Sequence, residues 1–115
     1  MAARVRYMLF TGGSMSTAVQ VTMYLNESDK WRKILEFLRR ENVAGASAFH
    51  AVGGFSGRSQ VHTSGLVEAG GNLPVMIVFV DFEEHVDRVL PGLRELAPHR
   101  LIVREHVTVE QSNLE

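Results

Sequence analysis

A nearly continuous apolar run from Pro74 to Phe82 sets the tightest limit on how this chain can fold. The residues from Val75 to Val80 are all apolar, so both sides of an extended chain would be apolar here. A strand of this kind belongs in the middle of a sheet. The run is much shorter than the roughly 18 to 20 apolar residues that a membrane-spanning helix needs. We therefore predict a central β-strand over residues 74–82.

Strand and helix patterns surround this run. Apolar and polar residues alternate from Ala18 to Leu25, as in a strand with one buried face, and residues 46–52 and 101–109 also have strand character. Two amphipathic helix stripes consist of Trp31, Ile34, Leu35 and Leu38, and of Val86, Val89, Leu90, Leu93 and Leu96. The order β-α-β-β-α-β predicts an α+β, ferredoxin-like sandwich, in which a four-stranded antiparallel sheet carries two helices on one face.

Polar residues beside the helix stripes predict where each helix begins and ends. Residues 26–29 offer side-chain oxygens that could cap the first helix. Asp81 and Glu84 resemble a capping box for the second helix. Asn42 or Gly45 can end the first helix, because both residue types tolerate the left-handed conformation.

Length and composition predict one domain and exclude several classes of site. The chain has 115 residues, which we divide into a leader or edge strand (1–17), a domain (18–110) and a polar tail (111–115). The net charge is -1, so nucleic acid is not an expected partner. There is no cysteine, which excludes disulfides and thiolate metal sites. We expect a cytoplasmic protein that is not integral to a membrane.

The central strand also predicts self-association. Two helices can cover only one face of a four-stranded sheet. Since the run over residues 74–82 is apolar on both sides, an apolar strip would remain on the uncovered face. A second copy of the chain is the simplest cover for such a strip.

Residues 53–72 form the segment with the most distinctive composition. It holds six of the ten glycines and has no regular period, so we predict a long loop. Backbone amides at Gly54 and Gly57 could point at an anion, and Arg58 follows them directly. A flexible hairpin without a ligand is the alternative, and the residues alone leave both interpretations open.

The histidines and acids predict no metal centre and no catalytic pair. The five histidines, none of which has a metal-binding spacing, are His50, His62, His85, His99 and His106. His62 is the one candidate for function, because it lies within the predicted loop. We interpret Asp81, Glu83 and Glu84 as residues of a helix cap and first turn.

Three motifs occur in order along the chain: Gly45-Ala46-Ser47-Ala48, then Gly53-Gly54-Phe55-Ser56-Gly57-Arg58 with Val61-His62-Thr63, then Asn72-Leu73-Pro74-Val75. Together they resemble the uncharacterised PII-like "domain of unknown function" proteins. These are ferredoxin-like proteins, similar in fold to the PII signal-transduction proteins and to CutA. The resemblance extends over residues 18–109.

The resemblance implies a homotrimer that binds a small molecule between subunits. In PII proteins the segment after the second strand is the mobile T-loop, which opens with a run similar to residues 54–58 and helps to bind adenine nucleotide. Arg100 and Arg104 fall near the place where basic residues of PII meet phosphates. Two features depart from PII: residues 97–99 lack its glycine-rich loop, and no counterpart of the T-loop tyrosine lies between residues 57 and 72.

We therefore predict a non-enzymatic, PII-like regulator without a cofactor, which binds a small anion or nucleotide and contacts a target protein through the loop 53–72. Its expected ligand-binding residues are Gly54, Gly57, Arg58, His62, Arg100 and Arg104. Arg58 and Arg104 are expected to meet across a subunit boundary. Two alternatives stay open: a CutA-like trimer that binds a divalent metal through His62 and carboxylates, and a small ferredoxin-like enzyme with an internal pocket.

Overall fold

The computed structural model describes residues 17–55, 62–63 and 73–114. Its elements are β1 (Ala18–Asn26), α1 (Trp31–Arg40), β2 (Ala46–His50), β3 (Gly53–Gly54), β4 (His62–Thr63), β5 (Pro74–Phe82), α2 (Glu83–Leu96) and β6 (Leu101–Val107). The four long strands form one antiparallel sheet in the order β2-β5-β1-β6. This arrangement confirms the predicted ferredoxin-like fold, with β5 in the interior of the sheet.

The core lies between the sheet and the two helices. Four alternate residues of β1 and the facing residues of β5 are fully buried, and both helix stripes pack on them. The buried cluster consists of Val19, Val21, Met23, Leu25, Ile34, Leu38, Val75, Ile77, Phe79, Val86, Val89, Leu93 and Ala97. Since α1 and α2 share this one cluster, both helices cover the same face. None of the helices in the described part of the chain is long and apolar enough to cross a membrane.

The end of α1 is held as the sequence predicts. Asn42 has a φ of 69°, in the left-handed region, and its N–H donates to the Arg39 carbonyl at 3.0 Å. The Val43 N–H donates to the Leu38 carbonyl, also at 3.0 Å. These two bonds form a Schellman motif, which pairs the last carbonyls of the helix.

The side-chain capping predicted at the start of each helix is wrong. Neither N-cap residue, Lys30 for α1 and Phe82 for α2, makes a side-chain capping bond. The Asp29 carboxylate instead accepts the Asn26 N–H at 2.7 Å and binds Arg100. Asp81 is the penultimate residue of β5 and binds a histidine one turn into α2. Asp29 thus binds an arginine and Asp81 a histidine, and the other oxygen of Asp81 accepts the Phe82 N–H at 2.7 Å.

A short ladder lies inside the segment for which a loop is predicted. Gly53 pairs with Thr63, and Gly54 pairs with His62. Gly54 has a φ of 149°, which L residues rarely adopt, and a Cβ there would lie 3.3 Å from Cγ of Pro74. The requirement for glycine at position 54 is therefore steric.

Gly92 of α2 lies against Phe37 of α1. A Cβ at this position would lie 2.3 Å from Cζ of Phe37 and 2.8 Å from its Cε1. We expect Gly92→Ala to destabilise the protein by about 1 kcal/mol, because overpacking by about 1–3 kcal/mol exceeds the gain of about 1 kcal/mol in helix propensity.

Urea denaturation of Gly92→Ala and of a matched control, Gly45→Ala, would measure the effect. A Cβ at Gly45 would have no neighbour within 4 Å, so the control should be neutral or slightly stabilised. Equal stabilities for the two variants would contradict the predicted clash.

Candidate functional site

The sheet face opposite the helices, which we call the open face, carries an apolar row that crosses all four strands. The register places Phe49 beside Met76, Met76 beside Tyr24, and Tyr24 beside Leu101. Three of these side chains are exposed in the single chain: Phe49 by 52%, Tyr24 by 39% and Leu101 by 60%. A row of this kind confirms the predicted apolar strip on the uncovered side.

The rows beside it become progressively more polar. In the next row Val78 lies between Ser47 and Thr22, and Val103 completes it on β6. In the third row Gln20 pairs with Val80 and Glu105. The open face is therefore apolar at the end where β5 and β6 begin.

At this same end, which we call the loop end, four chain connections meet. They are residues 26–30 after β1, residues 51–55 after β2, residue 73 before β5 and residues 97–100 before β6. These connections lie close together because of the strand register, in which Asn26 pairs with Pro74 and Tyr24 pairs with Leu101. Residues 26–30, the β1–α1 turn, lie in the middle.

Glu27 in the β1–α1 turn holds a histidine and a tryptophan together. Its carboxylate contacts Nε2 of His50 through one oxygen and accepts the Trp31 indole N–H at 3.4 Å through the other. The rings of Trp31 and His50 meet edge to face, with centroids 5.3 Å apart. The guanidinium of Arg32 lies 4.2 Å from the centre of the Trp31 ring, at a distance typical of a cation–π contact.

Arg100 is bound to the same turn. Its Nε lies 2.9 Å from Oδ2 of Asp29, and its Nη2 donates to Oδ1 at 3.2 Å. Both side chains are partly buried, with 29% and 21% exposure. This is a two-point arginine–carboxylate pair, the geometry with which arginine also binds phosphate.

Some of the predicted ligand-binding residues belong to the part of the chain that the structure describes, and others do not. Arg104 pairs with Asp87 of α2 at 2.8 Å, between half-exposed side chains. Gly54 and the backbone of His62 lie in the β3–β4 ladder. Gly57 and Arg58 lie outside the described residues, so the predicted meeting of Arg58 and Arg104 stays a prediction.

Arg100 and Arg104 are not brought to a single point. They are four residues apart at and after the start of β6, and four residues of extended chain span about 13 Å. Each has a carboxylate partner from a different element, namely the β1–α1 turn and α2.

Two carboxylates of the β1–α1 turn have partners that the sequence does not predict. The sequence predicts Glu27 and Asp29 as helix-cap residues and gives His50 no functional role. Their partners lie 23 and 71 residues away along the chain, so no local spacing could have indicated the pairs. The one available signal was the clustering of two acids in the turn after β1, at the end where β6 begins.

A wide cavity of about 620 Å³ lies at the other end of the open face. The tail, residues 108–114, forms one wall, and Gln20, Val80 and Gly45 lie opposite. Leu114 is 3% exposed, although the sequence predicts a frayed polar tail. Among the residues that the structure describes, no three histidine or acidic side chains are grouped closely enough to hold a metal ion.

Comparison with known sequences supports one family. The family described as DUF190 (Uncharacterized ACR, COG1993) matches residues 18–109. The "UPF0166 protein MJ1524" of Methanocaldococcus jannaschii is 35% identical over 88 residues, which cover 71% of this chain and 81% of that protein.

Solved structures with the same fold include a CPII protein and CutA1 proteins. CPII from Thiomonas intermedia K12, solved with ADP and bicarbonate, has a TM-score of 0.63 at 19% identity and covers 82% of this chain and 89% of its own. The divalent ion tolerance protein CutA1 from Ehrlichia chaffeensis has a TM-score of 0.61 at 14% identity, with 85% and 88% coverage. CutA1 from Pyrococcus horikoshii has a TM-score of 0.55 at 16% identity, with 83% and 88% coverage. At these identities the similarity shows the fold alone.

Proposed function

The chain belongs to the DUF190 family, and on that premise we propose that it is a PII-like regulatory protein, a homotrimer that binds a nucleotide or another small anion between subunits. It performs no catalysis and uses the residues 53–72 to contact a target protein. Binding shifts the population of conformations at the loop end, and the target protein responds to that shift.

The observation that supports self-association is the apolar row on the open face. Phe49, Tyr24 and Leu101 together expose large apolar side chains in the single chain, and β5 contributes Met76 between them. A second copy covers such a surface with its own row, which removes both from water.

The observation that supports anion binding is the position of two arginines on one edge of the sheet. Arg100 presents a guanidinium fork at the loop end, and Arg104 follows on the edge strand β6. Each pairs with a carboxylate, which an incoming phosphate would displace from the guanidinium. CPII, which has the same fold, was solved with ADP and bicarbonate, so these two compounds are the first ligands to test.

We expect Arg104→Ala to weaken ADP binding by about 1.5–3 kcal/mol, the range for hydrogen bonds to charged groups. Arg104 is partly exposed and forms a salt bridge with the surface residue Asp87, so the fold should survive. Isothermal titration calorimetry with ADP, with and without bicarbonate, measures the affinity.

Arg88→Ala is the matched control, because Arg88 is an exposed arginine on α2 that is not among the proposed ligand-binding residues. Unchanged ADP affinity in both Arg104→Ala and Arg100→Ala would contradict the proposed site. Retention of zinc or copper by the purified protein, without any nucleotide binding, would favour a CutA-like metal-binding function instead.

A further inference from the structure

The β1–α1 turn, residues 26–30, binds chain segments that are far apart in sequence. On one side Asp29 holds Arg100 through both carboxylate oxygens, at 2.9 and 3.2 Å. The same carboxylate accepts the Asn26 N–H at 2.7 Å, which fixes the shape of the turn itself. The position of Arg100 and the shape of the turn therefore depend on one side chain.

On its other side the turn binds the end of β2 and the start of β5. The Glu27 N–H donates to the carbonyl of Leu73 at 2.8 Å, and Leu73 is buried. The Glu27 carboxylate contacts His50, the last residue of β2. Directly after it, the Ala51 N–H donates to the Pro74 carbonyl at 3.0 Å.

We propose that the β1–α1 turn is a relay, in which release of Arg100 from Asp29 loosens the backbone bonds at Glu27 and Ala51. The proposal rests on the proposed function, since an anion that takes the guanidinium fork of Arg100 displaces Asp29 from it. The turn is then no longer bound to the residue before β6. Because Glu27 belongs to the turn, its contacts with the end of β2 and the start of β5 weaken. Anion binding is thereby coupled to the two strand ends that lead into and out of residues 53–72.

Asp29→Asn tests the relay without any ligand. An asparagine keeps an oxygen that can accept the Asn26 N–H, but it loses the charge that holds Arg100. We expect hydrogen exchange of the Glu27 and Ala51 amides, measured residue by residue by NMR, to accelerate roughly tenfold or more, because the lost bond involves two charged groups. The matched control is Asp87→Asn, which breaks the Arg104 pair on α2 and should leave both amides unchanged.

A double-mutant cycle with Glu27→Ala identifies the route of the coupling. Since Glu27→Ala already removes the contact with His50, adding Asp29→Asn should accelerate Ala51 exchange no further. Additive effects of the two substitutions, or equal exchange in Asp29→Asn and the wild type, would overturn the relay. Acceleration in Asp87→Asn as large as in Asp29→Asn would overturn it as well, since the effect would then be global.

Titration with ADP separates this proposal from the proposed function. If ADP binds, saturating ADP should accelerate Glu27 and Ala51 exchange in the wild type, and Asp29→Asn should bind ADP several-fold more tightly because its Arg100 has no competing carboxylate. If ADP and bicarbonate both fail to bind, the proposed ligand is wrong, while the comparison of Asp29→Asn with Asp87→Asn still decides whether the relay exists. ADP binding that leaves both amides unchanged would contradict the relay alone.

Discussion

Val78→Asp is expected to separate the subunits and leave each one folded, whereas Ile77→Asp is expected to unfold the protein. The two residues are adjacent on β5 but face opposite sides of the sheet. Ile77 is fully buried in the core beneath the helices, and Val78 lies half-buried on the open face between Ser47 and Thr22.

The expected difference follows from what surrounds each carboxylate. In Ile77→Asp the core loses an apolar side chain and gains a polar group without a partner, which costs about 5 kcal/mol or more. That is comparable to the whole stability of a small domain, about 5–15 kcal/mol. In Val78→Asp the carboxylate stays in water in the single chain and is buried only when a second copy covers the open face.

Sedimentation and circular dichroism together test both variants. We expect the wild type to sediment as a trimer, Val78→Asp as a folded monomer, and Ile77→Asp to lose its ordered circular dichroism signal. A wild type that remains monomeric at micromolar concentration would refute self-association. A Val78→Asp variant that remains trimeric would place the interface elsewhere.

His85→Ala is expected to destabilise the protein by about 3–5 kcal/mol, because it removes two hydrogen bonds at a buried site and leaves a cavity. His85 lies on α2 and is 7% exposed, and Asp81 is fully buried. Nδ1 of His85 is 3.0 Å from Oδ2 of Asp81, and Nε2 is 2.7 Å from the Glu41 carbonyl.

The imidazole therefore joins three elements. The Glu41 carbonyl can only accept, so Nε2 donates to it, and Nδ1 faces the Asp81 carboxyl group. These bonds fix the start of α2 to the end of β5 and to the residue that follows α1. Without the ring, the Asp81 carboxyl group and the Glu41 carbonyl both lose a partner.

Denaturant unfolding of His85→Ala measures this cost, and His106→Ala is the control. His106 is 70% exposed and lies 3.6 Å from Glu83, so its removal should change the free energy of unfolding by less than about 0.5 kcal/mol. If the two variants are equally stable, the buried contacts of His85 contribute nothing to the free energy of unfolding. The double variant Asp81→Leu/His85→Leu should recover part of the loss, because it removes the buried carboxyl group together with its histidine and puts apolar side chains in their place.

The family and its fold could be predicted from the sequence, because their signals are local. Apolar residues that recur every second position predicted β1, and apolar residues with a period of 3.6 predicted both helices. The apolar run over residues 74–82 predicted that β5 lies in the interior of the sheet. The same run predicted the apolar open face, since β5 has apolar residues on both sides of its pleat. Asn42 could be recognised as one of two candidates, with Gly45, for ending α1, because both residue types tolerate the left-handed conformation.

The partners of the charged residues were decided by the tertiary structure. Asp29 and Asp81 look like helix caps when only their neighbours in sequence are considered, and each capping prediction was wrong. Antiparallel pairing of β1 with β5 and β6 brings Arg100 beside Asp29, and the packing of α2 on α1 brings His85 between Asp81 and the Glu41 carbonyl. A carboxylate binds the strongest donor within reach, and which donor is within reach depends on how distant turns meet at one end of a folded sheet.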